Sequence, residues 1–221
     1  DTGSPYEITD QDNIKFVKYN PEEKSLLMTL NAKNAFKGKS KMEDMPYWPH
    51  LLIEQKNICD YKNMTDPEEK KFYSTAGDKV YAEFDMRVVD FKPTTNPEGI
   101  LNITYGITFY MKTDKAPNDM IWFCLTLFRN PNFVSTDKST WNPDSAAHQY
   151  MYHVREAMVY DGIENSFTPE KGKVVMGDEW KKVRVDITPH IERAVEWANR
   201  DNIFGVPVTV EDMYFEGESI G

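Results

Sequence analysis

Apolar and polar residues alternate with a period of two along several stretches of the chain, and clusters of Asn, Pro, Asp and Gly separate those stretches. Such alternation marks strands that bury one face. It predicts strands over residues 13–19 and 25–30, joined through Asn20-Pro21-Glu22-Glu23 as a hairpin-like pair. Further strands are predicted over 50–56, 79–91, 101–112, 120–129, 148–154 and 180–187. Residues 120–128 are bulky on both faces, with Ile121, Phe123, Leu125 and Leu127 against Trp122, Cys124, Thr126 and Phe128. This strand is expected at the centre of a sheet, covered twice.

One helix stands out among the strands. Thr188 as cap, Pro189 at the first helical position, and Ile191, Ala194, Val195 and Ala198 at i, i+3, i+4 and i+7 predict a helix ending near Asp201-Asn202. Long connections over 31–49, 56–78, 130–147 and 160–178 exceed ordinary hairpin loops and are places where function resides. No internal repeat or linker-like tract interrupts the chain. The expected architecture is all-β: a two-sheet antiparallel sandwich or jelly roll with one short helix late in the chain, forming a single domain over residues 1–221. Met213-Tyr214-Phe215 is strand-like, and a closing strand is expected beyond the end of the sequence. The chain is expected to be one module of a larger secreted protein, with other domains of that protein as neighbours.

Charge narrows the partners. The 26 Lys and Arg stand against 36 Asp and Glu, a formal net charge of −10 that repels phosphate backbones, so nucleic acid is not expected as a partner. Aromatics at 13% are too frequent for a disordered chain. No stretch approaches the roughly 18 consecutive apolar residues of a membrane helix, so no membrane span is expected. The chain opens Asp1-Thr2-Gly3-Ser4-Pro5 without Met, as it would after removal of a signal peptide, and an extracellular location is expected. Cys59 and Cys124 could bridge in an oxidising compartment, but neither lies in a Cys-x-x-Cys pair, so no zinc or redox motif is indicated. Asn63-Met64-Thr65 and Asn102-Ile103-Thr104 fit the glycosylation pattern.

Candidate chemistry lies on strand faces. Within 80–88, Val80, Ala82, Phe84, Met86 and Val88 share one face, and Tyr81, Glu83, Asp85 and Arg87 share the other. An aromatic, two acids and a base in one row could bind polyhydroxyl ligands by ring stacking and planar hydrogen bonds. The alternative for this row is a solvated outer strand with local ion pairing. Tyr110, Trp122, Tyr152 and His153 are further candidates for the floor of a shared groove, the alternative for Trp122 being packing beneath a loop. Glu54 shares a face with His50 and adds a candidate carboxylate. Tyr47, Trp48 and Trp141 stand beside Pro46, Pro49 and Pro143, which would stiffen a ring platform or cover a sheet edge. His148 and His153 have no carboxylate spaced with them for a metal site. No cofactor is expected. A structural calcium is possible, with Asp10 and Asp12, or Asp137 and Asp144, as oxygen donors.

The order of segments resembles the concanavalin A-like lectin and glucanase sandwiches and related carbohydrate-binding modules. The residues that carry the resemblance are the opening hairpin over 13–30, Tyr47-Trp48-Pro49-His50-Leu51-Leu52-Ile53-Glu54, Lys79-Val80-Tyr81-Ala82-Glu83-Phe84-Asp85-Met86-Arg87, and Glu179-Trp180-Lys181-Lys182-Val183-Arg184-Val185-Asp186-Ile187. The resemblance implies a carbohydrate ligand bound on a concave sheet. The Glu-x-Asp-x-x-Glu motif of laminarinase-like glucanases begins at Glu83-Phe84-Asp85, but Val88 and Val89 stand where the third acid would be. The Gln-x-His strand of the jelly-roll alginate lyases has no counterpart as Gln-Ile-His or Gln-Val-His.

The expected function is therefore a secreted carbohydrate-binding, lectin-like domain whose ligand-binding residues are Tyr81, Glu83, Asp85, Arg87, Tyr110, Trp122, Tyr152 and His153. One alternative is a glycoside hydrolase or polysaccharide lyase with Glu83, Asp85 and Glu54 as candidate catalytic groups, or a Tyr/His base at Tyr152 and His153. The other is a non-catalytic protein-interaction or adhesion domain.

Overall fold

The computed structural model describes residues 6–9, 15–30, 51, 53–56, 78–87, 89, 104–129, 139–144, 149–154 and 180–220. These residues are mostly strand, with one α-helix. Chain contacts divide into two compact units, one of Asp1–Ile53, Lys92–Asn102 and Gly221, the other of Glu54–Phe91 and Ile103–Ile220.

In the first unit, β1 (Tyr6–Thr9), β2 (Lys15–Asn20) and β3 (Ser25–Leu30) form a three-stranded antiparallel sheet in sequential order. The β2–β3 turn is built by its own residues. Asn20 Oδ1 accepts the Glu22 N–H at 3.0 Å and the Glu23 N–H at 3.4 Å, and Lys24 takes the left-handed conformation at φ 51°. The expected opening hairpin is present with Asn20 opposite Ser25.

Apart from Ile53, the first residue of β4, the second unit holds a six-stranded sheet in the order β4-β11-β6-β7-β9-β8 and a two-stranded ladder, β10-β5. The strands are β4 (Ile53–Lys56), β5 (Tyr81–Met86), β6 (Thr104–Thr113), β7 (Ile121–Arg129), β8 (Thr140–Asp144), β9 (Gln149–Val154), β10 (Lys181–Asp186) and β11 (Met213–Ile220). Strand β7 lies inside the sheet, with Phe123 and Leu125 wholly buried on one face and Cys124 and Thr126 buried on the other, as its two bulky faces predict. Three sheets appear among the described residues where two antiparallel ones were expected, and β7 pairs with β9 in parallel. The cause is a hairpin that alternation alone does not reveal: β8 and β9 pair with each other, and β9 inserts between β7 and β8. Pro143 hides β8 from a strand reading, yet proline is tolerated on an edge strand, which is where β8 lies. Strand β1 escapes for another reason, being only four residues long.

Ladder β5/β10 joins segments about a hundred residues apart. Beyond Tyr81 opposite Asp186 it continues through Ile187 N–H to the Val80 carbonyl at 2.9 Å and Val80 N–H to Thr188 Oγ1 at 2.9 Å. Thr188 opens the helix α1 (Thr188–Arg200), but its hydroxyl does not cap that helix as expected; it accepts from Val80. Asp186 serves the helix start instead, its Oδ1 accepting the Thr188 N–H at 3.0 Å. Ile191, Ala194, Val195 and Ala198 form the predicted buried stripe, with His190 beside them. The helix ends in a Schellman motif: Ile203 N–H reaches the Ala198 carbonyl at 2.9 Å, Asn202 N–H reaches Asn199 at 3.2 Å, and Asn202 is left-handed at φ 53°.

One buried cluster draws on both sheets of this unit and on α1. It includes Ala82, Met86, Val183 and Val185 of the ladder, Met111, Phe123, Leu125 and Tyr152 of the six-stranded sheet, and Ile191 and Ala194 of the helix. Each of these two sheets therefore turns an apolar face to common ground.

Candidate functional site

The expected groove separates into two faces with different chemistry. On the ladder, Tyr81, Glu83 and Asp85 stand exposed on the side away from the cluster, opposite Asp186, Arg184 and Lys182 of β10. The ion pairs described on this face join the two segments of the ladder. Glu83 pairs with Lys182 and with Arg184 Nε at 3.4 Å, and Lys79 pairs with Asp186 at 2.9 Å. The Arg184 guanidinium lies 3.6 Å over the Tyr81 ring, and Arg87 lies 4.8 Å over Trp180. The hydrogen bond from Lys182 holds the Glu83 carboxyl below its usual range, which is the wrong direction for a general acid. The local ion pairing that stood as the alternative for this row is present.

On the six-stranded sheet, register places Gly217, Tyr110, Trp122, Met151 and Asn142 in one row across five strands. A neighbouring row holds Ser219, Thr108, Cys124, His153 and Thr140. Alternation puts both rows on the face opposite Phe109, Phe123, Tyr152 and Trp141. Tyr110 and Trp122 are half-buried neighbours with ring centroids 6.5 Å apart. At one flank, a register shift between Phe215 and Gly217 lets Glu216 meet Lys112 at 3.1 Å. Within the second row, Cys124 is buried, its sulfur accepting from Thr108 Oγ1 at 3.4 Å and donating to the Trp122 carbonyl at 3.6 Å. Trp122 Nε1 and Thr140 Oγ1 are buried polar atoms without a hydrogen-bond partner among the described residues, and both belong to this face.

Structure thus brings Tyr110, Trp122 and His153 together and separates them from Tyr81, Glu83, Asp85 and Arg87. Tyr152 is a correction. It points to the opposite side, is wholly buried, and stacks on Phe123 with centroids 5.5 Å apart. A one-residue step along a strand reverses the face, so Tyr152 and His153 could never have shared one. Of Glu54 the structure describes only its place on β4. Tyr47, Trp48, His50, Cys59, Asp10, Asp12, Asp137 and the asparagines of both glycosylation patterns lie outside the described residues. Trp141 is not on a loop but on β8, stacked on Tyr150 at 5.2 Å and donating its Nε1–H to Asp201 at 2.7 Å.

Two groups escaped the reading by pattern. His190 lies in the first turn of α1 beside Ser139 and Tyr152, a contact between distant segments that no spacing announces. Glu218 lies on β11 opposite Phe109, where burial raises its carboxyl pKa. Plain alternation would set Glu218 beside Glu216, and only the register shift between Phe215 and Gly217 turns it to the side of Phe215. Among the described residues no group of three or more His, Cys, Asp or Glu is placed to hold a metal ion, and no helix is long and apolar enough to cross a membrane.

No family model, curated protein or solved structure matches this chain.

Proposed function

We propose that the chain is a secreted carbohydrate-binding domain that takes a neutral glycan against the Tyr110–Trp122 face of its six-stranded sheet. The observation that carries this reading is the pair of adjacent half-buried rings on a face turned away from the core. Aromatic faces stack on the C–H faces of pyranose rings, while Asn142, His153 and the flanking Lys112–Glu216 pair supply hydrogen-bonding groups for hydroxyls. Net charge supports a neutral ligand, since a formal −10 repels uronate chains. On the other face guanidinium groups already occupy the stacking positions over Tyr81 and Trp180.

Isothermal titration against a panel of neutral polysaccharides tests the proposal. Binding to at least one member, weakened by Trp122→Ala and kept by Tyr81→Ala, is expected; no heat from any member at millimolar concentration overturns it.

A further inference from the structure

Away from the candidate face, a compact set of polar groups lies in the interior. His190 is 8% exposed, and the hydroxyls of Ser139 and Tyr152 lie 3.4 and 3.3 Å from its Nδ1. Ser139 precedes β8 and Tyr152 lies on β9, so three segments of the second unit meet at one ring nitrogen. Two charged groups bear on the imidazole: Arg193, one residue short of a turn further along α1 and facing the Tyr152 hydroxyl, and Asp186 at the end of β10. Asp186 is already engaged by Lys79 at 2.9 Å and by the Thr188 N–H at 3.0 Å.

With Nδ1 unprotonated, its one in-plane lone pair accepts from a hydroxyl and the ring is neutral. A proton there turns the acceptor into a donor. The donating hydroxyl must then turn, and the Tyr152 oxygen faces two cations, His190 and Arg193. The new charge is also buried in the first turn of a helix, the end whose dipole opposes it. Helix and edge strand are tied to each other as well as to this cluster. Trp197 of α1 and Trp141 of β8 pack edge to face with centroids 6.1 Å apart, and Trp141 donates to Asp201 just past the helix.

We propose that the Ser139–Tyr152–His190 cluster is an acid-releasable latch that fastens α1 and β8 to the sheet at neutral pH and lets them go together in acid. Burial, assisted by Arg193 and opposed by Asp186, brings the His190 pKa from the ordinary 6.5 down to about 4 in the docked protein. The released imidazole binds a proton more readily, so the contribution to docking is complete above 6.5 and is lost as pH falls through about 4. A shift of that size changes the docked-to-released ratio by roughly two orders of magnitude. Because β8 carries Thr140 and Asn142, release also removes one flank of the candidate face; that consequence, unlike the latch, rests on the glycan reading.

The test follows the His190 ring by NMR from pH 7.5 to 3.5, alongside tryptophan emission and amide exchange, in the whole chain and in His190→Gln. Expected are a His190 titration near 4, a coincident change in Trp141 and Trp197 emission, β6–β7 amides still protected, and an acid response much reduced in the variant. Titration of His190 near 6.5, or an identical acid response in His190→Gln, overturns the latch, and the wild-type titration decides alone if the variant does not fold. Glycan binding that weakens in acid in the wild type and not in the variant supports the coupling to β8. Absence of glycan binding at every pH removes the proposed function, and the NMR titration then decides the latch by itself.

Discussion

The outer face of the β5/β10 ladder and the outer face of the six-stranded sheet begin from similar material, aromatic and polar residues on alternate strand positions, and reach opposite ends. On the ladder the partner strand brings complementary charge: Lys182 and Arg184 answer Glu83, and Arg184 covers Tyr81. On the sheet the partner strand brings a second ring, Trp122 beside Tyr110. What a ring meets on a strand face, a charge or another ring, is decided by the residue across from it, and cross-strand pairing is the unit that decides.

The comparison can be broken or sharpened by substitution, beginning behind the Tyr110–Trp122 face. Phe123→Ala removes a wholly buried ring from the layer supporting Tyr110 and Trp122, and is expected to cost about 3–5 kcal/mol in chemical denaturation. Near-wild-type stability would mean that the rings do not depend on that core.

Trp122→Ala is expected to weaken glycan affinity by about tenfold or more, from lost stacking and apolar contact. Tyr81→Ala is its control. Equal losses in titration calorimetry from the two variants would erase the distinction between the faces.

Gly106→Ala addresses the sheet's backbone, because a Cβ there meets the Leu125 carbonyl oxygen at 2.6 Å. A loss of about 1–3 kcal/mol is expected in the unfolding free energy. Thr188→Val tests the corresponding seam of the ladder by removing the acceptor of the Val80 N–H. The expected cost is about 1–2 kcal/mol, read from the same denaturation curves.

Glu83→Gln is expected to have the smallest effect. The carboxylate is exposed and its partners remain solvated, so thermal midpoint and glycan affinity should stay close to wild type near neutral pH. Whatever stability the depressed Glu83 pKa contributes is present above the carboxyl's ordinary value and is lost as pH falls through the lowered one, so the two proteins should converge in acid. A large loss of activity or binding in this variant would return the ladder to the functional site.

Much of the local structure was legible because local physics decides it. The helix follows from Pro189 and a stripe at 3.6-residue spacing, and β7 from bulk on both faces over nine residues. Boundaries shifted inward where alternation ran past the ladder, as at β5, expected over 79–91 and found at Tyr81–Met86. The candidate site was legible in part. Tyr110, Trp122 and His153 could be named from strand faces, but their common row depends on the register of β6, β7 and β9. The His190 cluster was not legible, since Ser139, Tyr152 and His190 belong to three separated segments.

By itself, then, the sequence determined the strands, the late helix, which residues share a face of each strand, and a charge that disfavours polyanions. These depend on a repeat of two or 3.6 residues, on side-chain volume, and on counting charges. Tertiary structure alone decided that β9 enters between β7 and β8 in parallel, that β5 takes β10 as its partner, and that the Tyr81 and Trp122 rows turn away from each other. Pairing between distant strands is chosen by the burial of whole faces, a free energy that belongs to no single segment.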